Sequence, residues 1–95
     1  MPAYLIVNVE VFDGARYEDY KRLADVTVEA YGGRYLARGG RVEVLEGDWE
    51  PRRVVVVEFP TEAQARAWWD SPEYAEPKAI RQATAHTDMF VVEGL

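Results

Sequence analysis

Four consecutive valines, Val54 to Val57, followed by Glu58-Phe59-Pro60, constrain this chain more than any other stretch. In an extended strand successive side chains alternate between the two faces, so a valine run makes both faces apolar. Such a strand needs cover on each side. Residues 3–11 repeat the condition: Leu5, Val7 and Val9 point one way, Tyr4 and Ile6 the other, in a segment rich in β-branched and aromatic residues. Two sheet strands with two apolar faces are the framework into which everything else must fit.

The remaining elements follow from local signals. Asp13-Gly14 ends the first strand, and Asp13 can cap a helix in which Tyr17, Tyr20, Ala24, Val28 and Tyr31 recur at three- and four-residue spacing. Gly32-Gly33 stops it, because glycine takes the left-handed conformation at a helix end without steric cost. Residues 34–46 read as extended but are interrupted by Gly39-Gly40, which local rules allow as a two-residue hairpin turn or as a kink within one long strand. Gly47-Asp48-Trp49-Glu50-Pro51 is a turn by composition. After the 53–59 strand, Thr61-Glu62-Ala63-Gln64 fits a capping box, and Ser71-Pro72 is a fresh N-cap with proline at the first helical position. Pro77 is expected to break or restart that helix. Residues 87–93 close the chain as a strand. The order is β-α-β-β-α-β, an α+β sandwich with an antiparallel four-stranded sheet and two helices on one face.

Ninety-five residues make one domain, 1–95, with a modest core that a partner subunit would help stabilise. The face without helices is apolar, and an apolar face of that size is rarely left wet, so a homodimer through the sheet faces is expected. The absence of cysteine excludes disulfides, thiolate metal sites and cysteine nucleophiles. A net charge of −6, with only two isolated basic pairs, Lys21-Arg22 and Arg52-Arg53, argues against nucleic acid as a partner. No apolar stretch reaches transmembrane length and no basic region precedes the first apolar run, so no membrane association and a cytoplasmic location are expected. There is no histidine pair or carboxylate cluster with ligand spacing, no phosphate loop and no dinucleotide fingerprint; no metal and no cofactor are expected.

Several polar residues sit where a plain core does not need them. Glu58 lies in a valine strand, where a carboxylate is costly unless paired, so it is either a general base or ligand anchor, or half of a structural ion pair. Asn8 sits mid-strand among apolar residues and is either a satisfied amide or a ligand contact. Arg34 and Arg38, four apart, share a strand face if no bulge intervenes; they can bind a carboxylate or enolate, or pair with Glu43, Glu46 or Glu58. Arg81 lies on the last helix. Tyr31 and Tyr74 each border a helix and can wall a pocket or fill core. Trp68 and Trp69 cannot both point inward from one helix, so one faces a cleft, a partner or water. His86, the only histidine, reads as a surface residue, and Ser71 as a cap.

Taken in order, Tyr31-Gly32-Gly33-Arg34, Arg38-Gly39-Gly40, Glu46-Gly47, Val57-Glu58-Phe59-Pro60, Ser71-Pro72-Glu73-Tyr74, then Arg81 and the closing Val92-Glu93-Gly94, the chain resembles the domain-of-unknown-function family numbered 1330 over nearly its whole length. The resemblance implies a ferredoxin-like monomer paired sheet to sheet as a dimeric α/β barrel, and it favours a kinked strand at Gly39-Gly40. It also implies kinship with cofactor-free monooxygenases, lactone isomerases and stress-responsive proteins; the family has no established reaction. Pro77 departs from the alanine-like residue expected at that point. Two functions are then open. One is a small-molecule-binding dimer, with or without cofactor-free catalysis on small enolisable or phenolic compounds. Its pocket would be walled by Tyr31, Trp68 and Tyr74, with Asn8 and Arg34 as further contacts, Arg38 or Arg81 holding an oxyanion, and Glu58 or His86 taking a proton. The other is a non-catalytic oligomerising or binding module.

Overall fold

The computed structural model describes every residue, Met1–Leu95. Strand β1 (Ala3–Val11) leads into helix α1 (Gly14–Ala30); β2 (Arg34–Arg38) and β3 (Arg53–Phe59) follow; α2 (Glu62–Trp69) and α3 (Pro72–Thr84) precede β4 (Ala85–Glu93). The strands form one antiparallel sheet in the order β2-β3-β1-β4. Each helical crossover therefore skips a strand: β1 and β2 run parallel with β3 between them, and β3 and β4 run parallel with β1 between them. This is the ferredoxin-like α+β arrangement.

Alternation sorts the sheet residues. Leu5, Val7 and Val9 of β1, Val57 and Phe59 of β3, and Met89 and Val91 of β4 face the helices. The core centres on Trp68, Tyr74 and Phe59, all at 2% exposure or less. The rings of Trp68 and Tyr74 lie 4.0 Å apart and those of Phe59 and Trp68 5.7 Å. Each such aromatic contributes roughly 2–3 kcal/mol by burial. On the opposite face, Ile6, Val54 and Val56 are half-buried, while Phe90 and Val92 remain exposed at 57% and 46%. No helix covers that face, and no helix is long and apolar enough to cross a membrane.

The caps sit where the sequence puts them. The Asp13 carboxylate accepts from Arg16 N–H, Thr61 Oγ1 from Gln64 N–H and Ser71 Oγ from Tyr74 N–H. Gly32, at φ +81°, ends α1, its N–H donating to Glu29 O while Gly33 N–H reaches back to Val28 O.

Three expectations are corrected. The stretch 34–46 is neither a kinked strand nor a hairpin: β2 stops at Arg38. Gly39 donates a last rung to Val54 O and turns away at φ +69°, and β3 begins only at Arg53, so a longer β2 would overrun its partner. Residues 40–52 form no helix or strand and are exposed except at Pro51. Pro77 does not break α3, which runs unbroken from Pro72 to Thr84. In its second turn Pro77 forgoes one bond, to Glu73 O, and its buried ring packs inward. The second crossover holds two helices instead of one, divided at Asp70-Ser71.

Candidate functional site

A cavity lies between the sheet and the helices, roofed by α1, α2 and α3. Tyr17 and Tyr20 reach it from α1, Trp68 from α2, Arg81 from α3, Arg53 from β3 and Tyr35 with Arg38 from β2. Its free volume is about 40 Å³. One water needs about 10–15 Å³ on that measure, so there is room for roughly three. No carboxylate and no histidine lines it.

The α3 side is held by a hydrogen-bonded series. Tyr74 and Arg81 are seven residues apart, two turns on one buried face that also carries Pro77 and Thr84. Arg81 Nε donates to Tyr74 Oη at 3.3 Å, and Tyr74 Oη meets Tyr20 Oη at 2.8 Å. Arg81 is 4% exposed, and no Asp or Glu lies within ion-pair distance of it. Burial by itself would lower the pKa of Arg81, but Tyr74 and Tyr20 outweigh it and the guanidinium stays charged. Burial, reinforced by Tyr74, pushes the Tyr20 hydroxyl far above its ordinary value, so Tyr20 stays neutral.

Arg53 stands at another wall. Its Nε is buried without a partner, its guanidinium packs over Gly39, and it too lacks a carboxylate. Burial raises the pKa of the neighbouring Tyr17, and Arg53 and then Arg81 pull it back. The other two cations of the cavity are neutralised. Lys21 pairs with Glu18 at 2.9 Å, and Arg38 grips Asp25 in two bonds of 2.7 and 3.0 Å while lying over the Tyr35 ring. Tyr35 also donates to Asp25, at 3.1 Å; burial first, then Asp25, raises its pKa.

The structure thus gathers some expected residues and separates others. Arg81, Arg38 and Trp68 line the cavity, and Tyr74 backs it through Tyr20 and Arg81. Glu58, Arg34 and Asn8 do not join them, because they occupy the other face of the sheet. Glu58 has the expected arginine neighbour, since Arg34 Nε donates to it at 2.7 Å, but neither Tyr31 nor Tyr74 shares its surroundings. Asn8 Oδ1 accepts from Arg52 N–H at 2.8 Å. Arg34 and Arg38 fall on opposite faces, because the β2–β3 register slips between Tyr35 and Ala37 and leaves Leu36 as a bulge. Tyr31 is half-buried outside the cavity, donating to Glu73 at 3.1 Å and clipping the end of α1 to the start of α3. His86 is exposed and tilts against Phe12, in an open cleft at the β4 edge that Arg81, Trp69 and Met89 also border. Trp68 is the inward tryptophan; half-buried Trp69 faces that edge.

Sequence reasoning missed Tyr17, Tyr20, Tyr35 and Arg53. The first two were legible only as a helix stripe, although three of its five residues carry a hydroxyl. Arg53 could have been found by parity: it shares the helix-covered face with Val55, Val57 and Phe59, where a cation is out of place.

Solved structures of low identity share this fold. A protein of unknown function from Rhodopseudomonas palustris superposes with a TM-score of 0.81 at 21% identity, over 99% of this chain and 82% of its own. A dimeric ferredoxin-like protein of unknown function from Jannaschia sp. CCS1 gives 0.73 at 14% identity, over 99% and 100%. SnoaB, a cofactor-independent oxygenase from Streptomyces nogalater, gives 0.71 at 10% identity, over 99% and 93%. No curated protein matches the chain. The family model for a domain of unknown function, DUF1330, matches residues 2–95, and the chain belongs to that family.

Proposed function

We propose that the protein is a homodimer that binds a small organic anion in the cavity between its helices and sheet, and that any catalysis there is of the cofactor-free kind, on small enolisable or phenolic compounds. The observation that carries this is Arg81: a buried cation with hydroxyl partners and no carboxylate. Burying a lone charge costs several kcal/mol, which a structural role would offset with an ion pair. Here an incoming oxyanion supplies the missing charge. If Arg81 donates to Tyr74 and Tyr74 onward to Tyr20, the Tyr20 hydrogen is left for the ligand, so that a neutral phenol and a guanidinium stabilise one oxyanion. The oxygenase likeness of SnoaB is compatible with such a site, since enolates and phenolates are the electron-rich forms that react without a cofactor.

The lack of a carboxylate or histidine in the cavity favours a second reading, binding without turnover, because the two commonest general bases are missing there. Substrates acidic enough to arrive ionised escape that restriction. Glu58 and Arg34 are assigned to the sheet face and the dimer contact.

The test is calorimetric titration of the protein with 4-nitrophenol at a pH where that phenol is ionised, in parallel with Arg81→Met. The folded variant is expected to bind at least about 10-fold more weakly, the loss for a charge-assisted hydrogen bond. Unchanged affinity in Arg81→Met would remove the proposal. Oxygen uptake in the presence of ligand separates turnover from binding alone.

A further inference from the structure

The two cavity arginines that lack carboxylates stand at separate walls, each with its own tyrosine. Arg81 comes from α3 with Tyr74 and Tyr20, and Arg53 from the start of β3 beside Tyr17. The Tyr17 and Tyr20 rings, 5.3 Å apart, bridge the two groups. The contrast with the other two cations is the informative point: Arg38 and Lys21 border the same cavity, yet each has a carboxylate of its own. Positive charge is neutralised where it faces outward and left open at two inward positions. A ligand with one anionic end satisfies only one of them, leaving the other guanidinium buried and uncompensated.

We propose that the ligand is a short dianion, of about the size of a three-carbon dicarboxylate, with one anionic group on Arg81 and Tyr20 and the other on Arg53 and Tyr17. The assignment rests on the anion-binding role proposed above and narrows it. The free volume of about 40 Å³, room for roughly three waters, limits the ligand to the smallest diacids, seated with some opening of the cavity, and excludes a fused aromatic. The Nε of Arg53 is closed off from the cavity and has no partner in the protein, so the terminal nitrogens of that guanidinium are the ones that would meet the second anionic group. Gly39 belongs to the same device: the Arg53 guanidinium lies over it in the space a side chain would take.

The experiment compares malonate with acetate by calorimetric titration of the wild-type dimer, Arg53→Gln and Arg81→Gln, with folding of each checked by circular dichroism. Malonate is expected to bind at least 10-fold more tightly than acetate to the wild type. Arg53→Gln is expected to erase that preference while leaving acetate within about threefold, and Arg81→Gln to weaken both. Should Arg53→Gln fail to fold, Arg53→Lys serves instead and is expected to keep a reduced preference for malonate. Equal affinity for the two anions, both dependent on Arg81, would overturn the dianion assignment and leave the anion cavity standing. Failure of a folded wild-type protein to bind either anion would overturn both.

Discussion

Single residues decide what the cavity can hold, and two of them make sharp comparisons. Gly39 and Gly40 are neighbours of identical chemistry and opposite circumstance. Gly39 sits at φ +69° beneath the Arg53 guanidinium, whereas a side chain on Gly40 would meet nothing within 4 Å. Gly39→Val is expected to destabilise by at least about 1 kcal/mol, and Gly40→Val by less than about 0.5 kcal/mol, read as midpoints of urea unfolding. The buried phenols give a pH signature. Burial raises the pKa values of Tyr17, Tyr20 and Tyr35 above the ordinary 10.0. Above that pH the unfolded chain loses these protons while the folded chain keeps them, so their contribution is complete below pH 10 and falls as the pH rises beyond it. The slope is at most about 1.4 kcal/mol per pH unit for each phenol, and less for half-buried Tyr35. Unfolding free energies at pH 8.5 and pH 11 should show that loss, and Tyr20→Phe should reduce it; an unchanged slope in Tyr20→Phe would rule Tyr20 out as a source. At this scale the sequence was half legible. Arg81 stood out, but Glu58 drew attention as a carboxylate among valines, and only the alternation of β3 shows that it shares a face with Val54 and Val56, away from the cavity.

Among the elements, β2 shows why a site is harder to read than a fold. Four residues of separation put Arg34 and Arg38 on one face of a regular strand. One bulged residue, Leu36, reverses this and sends Arg38 under α1 to Asp25. Nothing in Arg34-Tyr35-Leu36-Ala37-Arg38 announces a bulge, because it depends on how two strands pair. Helix ends were more legible, since Asp13, Thr61 and Ser71 act on backbone groups three residues away. Thr27 is the opposite case. It looks like a helix-surface residue by type, yet it is buried and accepts Trp68 Nε1–H at 3.0 Å while donating to Ala24 O, joining α1 to α2. Thr27→Val keeps the shape and strands the indole N–H. It is expected to cost about 1–3 kcal/mol in urea unfolding, against near neutrality if that bond is dispensable.

For the whole molecule, the two-faced apolar strands forecast both the helix-covered core and the open face. The open face carries Ile6, Val54, Val56, Phe90 and Val92, with the Arg34–Glu58 pair at its β2 edge. The expected dimer closes on that face. Sedimentation equilibrium at micromolar concentration should give twice 10.9 kDa, and Phe90→Glu, at a position 57% exposed in the single chain, should yield a folded monomer. A wild-type monomer would contradict sheet-to-sheet pairing. In the proposed arrangement ligand chemistry belongs to the other side of the sheet, between the two arginines that lack carboxylates. A crystal structure of the dimer grown with malonate tests it most directly. The expected result is one carboxylate against Arg81 and Tyr20 and the other against Arg53 and Tyr17. Malonate bound beside Glu58 and Arg34, or a cavity left empty at saturating ligand, would contradict it.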